Sequence, residues 1–195
     1  MIAAFTLFIM LELIFQRNYE VEHAFRSSVF QVVSFITTTG LYSDDAAKWP
    51  HVTWVVLAAC MFFGGSSGST SGGIKSMRGV MLVKIVKNEF RQILHPNAVL
   101  PMKIDGYNVQ MSKRVTLLAF IGLYLFLAVI CAFTMIAAGI DSTNSMTITL
   151  SSLGNVGPTL GLEIGPTMSW NELPDFAKWI SSFLMLVGRL ELFSV

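Results

Sequence analysis

Apolar residues along this chain fall into runs that are mostly too short to cross a bilayer, and a polar glycine-serine stretch, GGSSGSTSGG, interrupts them at residues 64–73. The apolar run ahead of it covers residues 52–63, whereas a spanning helix needs about 20 apolar residues. Backbone that leaves a helix at that depth must be buried in protein or line a water-filled cavity, because lipid offers its N–H and C=O groups no partner. The stretch therefore predicts a polar pathway.

Taken in order, residues 2–15 read as the second half of a span, and a polar turn at 16–22 comes next. Residues 24–36 are apolar, too short to cross, and end in TTTG at 37–40. This predicts a short helix that enters the membrane and stops, with the negative end of its dipole favouring a cation just beyond it. A polar return at 42–51 leads to the run 52–63, whose start is bracketed by Trp49 and Trp54, as interfacial aromatics often are. Helical pattern resumes over 74–94 and carries Lys75, Arg78, Lys84, Lys87 and Arg91 out of the bilayer until His95-Pro96 ends it. The turn pair Asp105-Gly106 predicts a hairpin within 97–111. A clean span covers 115–140. Asp141 or Ser142 then caps a second short helix over 143–153, which ends at NVGPTLG, residues 155–161. The last apolar run begins at Phe176 and carries Arg189 and Glu191.

The order of span, short re-entrant helix, polar strand and span thus occurs twice. An offset of 117, the separation of Gly40 and Gly157, also sets Ser34 on Ser151, Ile36 on Leu153 and Thr39 on Val156. In the later helices the offset becomes 124, which sets Met61 on Met185 and Gly64 on Gly188. A helix-loop-helix hairpin with an extended strand at its tip is how a pore presents backbone carbonyls in place of an ion's water shell. Two such units do not close a ring around one axis, so four are expected in the intact protein, with this chain carrying half of the pore.

Composition agrees with the bilayer. Hydrophobic residues make up 53% and charged residues only 13% of the chain, which is thereby read as a membrane protein. Eight of the thirteen Lys and Arg residues lie between Lys75 and Arg114, so that connection is expected to face the cytoplasm. Nothing in the charge points to nucleic acid. Cys60 and Cys131 sit in apolar runs without metal or redox spacing, and His23, His51 and His95 are scattered. The acidic residues Asp44, Asp45, Glu163, Glu172 and Asp175 read either as a set that concentrates cations at an outer mouth or as ordinary loop charge. No Ser-His-Asp or paired-carboxylate arrangement is visible, so no enzymatic site is expected. Both ends of the sequence read as cuts through a longer polypeptide.

The segments SFITTTG (34–40), FFGGSSGSTSGGIK (62–75), PNAVLPMKIDG (96–106), GNVGPTLG (154–161) and GRLELF (188–193) together resemble the C-terminal half of a TrkH/KtrB-type potassium transporter. The resemblance implies an all-α polytopic membrane protein of membrane-pore-membrane repeats. Residues 1–94 would be the third repeat, 95–112 a cytoplasmic hairpin and linker, and 113–195 the fourth. It implies potassium, held by backbone carbonyls only, as the transported ion and no covalently bound cofactor. Filter carbonyls would come from Thr38, Thr39, Gly40, Asn155, Val156 and Gly157. The intramembrane gate would comprise Gly64, Gly65, Ser66, Ser67, Gly68, Ser69, Thr70, Ser71, Gly72 and Gly73, together with Arg189. Thr159 stands where the resemblance would place glycine. A homodimer in the bacterial cytoplasmic membrane, regulated by a nucleotide-binding ring of the TrkA or KtrA type, is the implied assembly.

Plainer interpretations compete with these. Composition alone would make GGSSGSTSGG a flexible linker; its place between two apolar helical runs argues for a loop lining the pathway. GSTSGGIKS at 68–76 mimics a phosphate-binding loop, but its spacing is wrong and no strand precedes it. Arg189 is either paired with Glu191 or bonded to the 64–73 loop, where it adds a positive barrier while the gate is closed. A secondary transporter with broken helices around a midplane site is the alternative function, and a structural subunit of a membrane complex is a third.

Overall fold

The computed structural model describes residues 1–66, 68–69, 71–95, 103–104, 107–160 and 170–189. Within them the chain forms helices α1 (Ile2–Arg17), α2 (Val21–Ile36), α3 (His51–Phe62), α4 (Ser76–Leu94), α5 (Met111–Ala137), α6 (Ser142–Gly154) and α7 (Asp175–Arg189). Helices α1, α2 and α3 contact one another, and α6 contacts both α5 and α7; α3 against α6 and α4 against α5 join the two groups. The duplicated order of elements is therefore present as two packed units.

Length decides which helices can cross. At 1.5 Å per residue the 27-residue α5 is about 40 Å long and exceeds a hydrocarbon core, whereas the 13-residue α6 reaches only about 20 Å. α5 is also the one helix among the described residues that is both long and apolar enough to span by itself. It leaves Leu118, Phe126, Val129 and Phe133 exposed, as a lipid-facing surface requires. α2 is built differently. It buries Ala24, Ser27, Ser28, Gln31, Val32, Ser34, Phe35 and Ile36. α6 likewise buries Asn144, Ser145, Thr149, Ser151 and Ser152. The two short helices are polar inside the protein, where hydroxyls can find partners.

α6 begins as its sequence predicts, with Asp141 accepting from the N–H groups of Thr143 (2.9 Å) and Asn144 (3.4 Å). The predicted hairpin is present as strands β3 (Lys103–Ile104) and β4 (Tyr107–Asn108), paired antiparallel; its apex lies outside the described residues. The tryptophans differ from expectation. Trp49 and Trp54 are buried rather than interfacial, at 1% and 8% exposed. Their indole N–H groups find partners inside the chain, Trp54 on Ala46 O (2.9 Å) and Trp49 on the Asp44 carboxylate (3.4 Å). The return loop 41–50 folds over the start of α3, so the rings fill core instead of lying among headgroups.

Replacing Asp141 with alanine removes the side-chain acceptor that caps the start of α6. The purified protein is expected to lose about 1 kcal/mol, read as a lowered melting temperature in detergent; an unchanged value would mean that packing alone fixes this helix start.

Candidate functional site

Both short helices end in the same motif. At the end of α2, Thr38 takes the left-handed conformation (φ 55°), its N–H bonds Phe35 O (3.3 Å), and the N–H of Thr39 reaches back to Ser34 O (2.9 Å). At the end of α6, Asn155 is left-handed (φ 53°), its N–H bonds Ser152 O (3.2 Å), and the N–H of Val156 reaches back to Ser151 O (3.0 Å). These paired six-to-one and five-to-two bonds are the Schellman cap, and every position in one corresponds to the other at the offset of 117. Glycine or asparagine usually occupies the left-handed position. The β-branched Thr38 there stores strain of order 1–3 kcal/mol.

The chain then returns to negative φ at Thr39 and Val156 and becomes positive again at Gly40 (φ 73°) and Gly157 (φ 104°). In a regular strand successive residues alternate sides. A backbone that alternates the sign of φ lets successive carbonyls share one side, the arrangement by which a filter strand replaces an ion's water shell. Hydroxyls brace each segment. Ser34 Oγ donates to Leu41 O, Thr37 Oγ1 and Thr39 Oγ1 share a bond of 2.8 Å, and the N–H of Gly157 donates to Ser151 Oγ at 3.0 Å. The two segments lie side by side, since a Cβ placed on Gly40 would fall 2.1 Å from Val156 O and 3.2 Å from Pro158 Cδ.

The glycine-serine stretch closes on itself. Phe63–Gly64 (β1) and Ile74–Lys75 (β2) pair as a short parallel bridge at its neck, which the sequence did not announce. Ser76 donates both its N–H (3.1 Å) and its Oγ (3.2 Å) to Gly65 O. Inside the loop, Ser71 Oγ accepts from the N–H of Gly65 (2.9 Å), the N–H of Ser71 donates to Ser69 Oγ (2.9 Å), and the N–H of Ser69 donates to Ser66 O (3.0 Å). The serines thereby supply the backbone partners that lipid withholds. Ser67 and Thr70 lie outside the described residues.

This loop sits against the end of α6, where a Cβ on Gly72 would meet Gly154 O at 2.4 Å. On its other side, Gly64, Gly65, Ser66, Ser69 and Ser76 face Ile36 and Thr37 at the end of α2 across an open cavity of about 580 Å³, which the start of α1 also lines. The carbonyl ends of α2 and α6 point their negative dipole ends toward the filter-like segments, and the hydroxyl-rich loop stands next to both.

The remaining expectations separate. Arg189 closes α7 one residue beyond Gly188, whose Cβ would lie 2.1 Å from Leu153 O, so the last helix is pressed against the end of α6. Glu191 and Glu163 lie outside the described residues. Asp44 and Asp45 are taken up by their own loop: Asp44 accepts from the N–H of Asp45 (2.8 Å), while Asp45 accepts from the N–H of Ala47 (3.1 Å) and pairs with Lys48 (3.3 Å). Asp175 pairs with Lys178 at 3.1 Å. Cys60 and Cys131 are free and buried, and among the described residues no group of three or more His, Cys, Asp or Glu side chains stands together. Sequence reasoning missed the amide of Asn155, which donates to Met185 O in α7 at 3.1 Å. An asparagine directly after a short helix was its only signal.

Residues 2–195 match the family described as TrkH, cation transport protein. The chain is 34% identical over 178 residues to the Trk system potassium uptake protein TrkH of Halomonas elongata, covering 91% of this chain and 36% of that protein. It is 35% identical over 166 residues to the protein of the same name from Escherichia coli K12, covering 85% and 34%. The crystal structure of the potassium transporter TrkH from Vibrio parahaemolyticus superposes with a TM-score of 0.90 at 32% identity, over 98% of this chain and 41% of that one. This chain thus spans about a third of the length of the curated relatives it matches.

The positive-φ glycines of the two capped segments, Gly40 and Gly157, are expected to respond differently to alanine. At Gly40 the added methyl meets Val156 O as well as an unfavourable φ, whereas at Gly157 nothing lies within 4 Å and only the backbone strain remains. Melting in detergent should therefore rank Gly40→Ala well below Gly157→Ala; equal melting temperatures would show that the two segments separate freely.

Proposed function

Because this chain belongs to the TrkH family of cation transport proteins, we propose that it supplies two of the pore-forming units of a transporter that takes up potassium across the bacterial cytoplasmic membrane. It is an α-helical, polytopic membrane protein. The observation that carries the reading is the pair of Schellman-capped short helices, each leading to a positive-φ glycine, at one fixed sequence offset. Potassium, as cargo, exchanges water oxygens for the carbonyls of Thr38, Thr39 and Gly40 in one unit and Asn155, Val156 and Gly157 in the other. Further units complete the ring.

The loop 64–73 acts as the gate. Its position against the end of α6 and beside the open cavity at the end of α2 supports this, as does the parallel bridge that joins its two ends. Arg189 adds positive charge near the closed gate; an arginine facing lipid would cost about 2.5–3.5 kcal/mol on insertion scales, so a protein-facing or water-facing place suits it. α4 carries the basic residues of the cytoplasmic side away from the gate and offers a regulatory ring of the TrkA or KtrA type a lever on it. A homodimer is the assembly of this reading. Residues 1–94 and 113–195 are its two repeats, joined by the linker at 95–112.

Rubidium uptake by the full-length protein, in cells stripped of their own potassium uptake systems, tests the reading. Wild type is expected to restore uptake and Gly157→Ser to lose affinity or selectivity against sodium; identical behaviour would make NVGPTLG a structural turn and favour a transporter with a midplane substrate site. Deleting three or four residues from the loop is expected to raise flux severalfold, and unchanged or lower flux in a correctly inserted variant would contradict the gate.

A further inference from the structure

Asn155 stands where the second filter segment, the loop and the last helix meet. Its backbone holds the left-handed position of the α6 cap (φ 53°). Its Nδ2 donates to Met185 O in α7 at 3.1 Å. A Cβ on Gly72 of the loop would lie 3.1 Å from Asn155 Cβ, and one on Gly188 of α7 would lie 2.8 Å from Asn155 Nδ2. Both neighbours approach this closely because they are glycines.

The left-handed backbone does not by itself require an amide. Glycine adopts it without strain, and Thr38 holds the equivalent position in the other unit with a side chain that has no N–H to offer. What asparagine adds is the donor that crosses to α7. Since α7 and the loop both touch the residue that shapes the filter strand, neither can be displaced without disturbing that strand.

We propose that the Asn155 side chain is a positioning residue that ties the second filter segment to α7 by one hydrogen bond and to the loop by close packing at Gly72, so that cation selection and gate position are coupled at this residue. The inference rests on the reading of these segments as filter and gate. It adds a determinant of selectivity that acts through α7 rather than by touching the ion. Loss of one neutral hydrogen bond corresponds to a change of about fivefold in an equilibrium.

The test is rubidium uptake, with sodium as competitor, by the full-length protein carrying Asn155→Gly. Glycine keeps the backbone conformation and removes the side chain, both the amide that reaches Met185 O and the Cβ that faces Gly72. Discrimination against sodium is expected to fall by about fivefold at wild-type abundance in the membrane, with the maximal rate changed much less than the apparent affinity. Gly188→Ala, whose methyl meets Leu153 O as well as the amide and so pushes α7 off both, should produce at least the same fall, and adding Asn155→Gly to it should make it no worse. Wild-type discrimination in Asn155→Gly would overturn the proposal, as would failure of that variant to insert stably, which would make Asn155 a folding residue. Strictly additive effects in the double variant would overturn it too. If wild type itself transports no rubidium, the filter reading fails first, and the two failures are told apart by that control.

Discussion

A backbone amide or carbonyl that leaves a helix inside a bilayer has no solvent to turn to, and the three non-helical segments at the centre of this chain are each organised around that constraint. After α2 and α6 the freed groups are recaptured by Schellman bonds from the helix itself and by hydroxyls of Ser34, Thr37 and Ser151. Between α3 and α4 the recapture is done by Ser69, Ser71 and Ser76 together with the parallel bridge. The richness in serine and threonine that makes these segments look like linkers in composition is what lets them exist at membrane depth. Thr37, Ser66, Ser69 and Ser76 from these segments also reach the space between the loop and the end of α2, beside the apolar Ile2, Ala3 and Ile36.

Close backbone approach is the second requirement, and it explains why the glycines cluster where they do. The end of α6 is gripped from two sides. Gly154 lies so near α3 that a Cβ would fall 2.9 Å from Met61 O, and Gly188 lets α7 press on Leu153 O. Met61 and Met185 are equivalent at the offset of 124, so α3 and α7 contact one short helix through corresponding places in their own sequences. Such contacts bring backbone dipoles together without intervening side chains. They concentrate close backbone contacts at the C-terminal end of α6.

Much of this architecture is legible in the sequence, for reasons that can be named. Helix existence comes from the apolar runs, and the re-entrant helices from runs too short to cross; Asp141 announces the start of α6 by its position ahead of Ser142 and Thr143. The offset of 117 rests on Ser34, Thr39 and Gly40, and the structure places at those positions the groups that make matching bonds. The hidden features depend on distance in space. The burial of Trp49 and Trp54 turns on Ala46 O and Asp44, which only the folded return loop brings near. The parallel bridge joins residues eleven apart with no alternating pattern to mark it. The bond from Asn155 spans thirty residues and ends on a backbone carbonyl, for which no side-chain signal exists.

The two units share a capped helix end followed by a positive-φ glycine but differ in the helix beyond it, and composition supplies the cause. Gly64 and Gly188 are aligned, yet α3 has already ended at Phe62 while α7 runs on through Gly188 to Arg189. After Gly64 the sequence offers GSSGSTSGG, residues that lose most in a helix and compete for backbone hydrogen bonds. Before Gly188 it offers FLMLV, which loses little as helix. Among the described residues the break therefore falls after Phe62 and not at the aligned place in α7, whose Met185 O and Gly188 pack against the end of α6 and Asn155. Composition thus sets where a continuous helix gives way to a serine-braced loop, and the duplication itself does not.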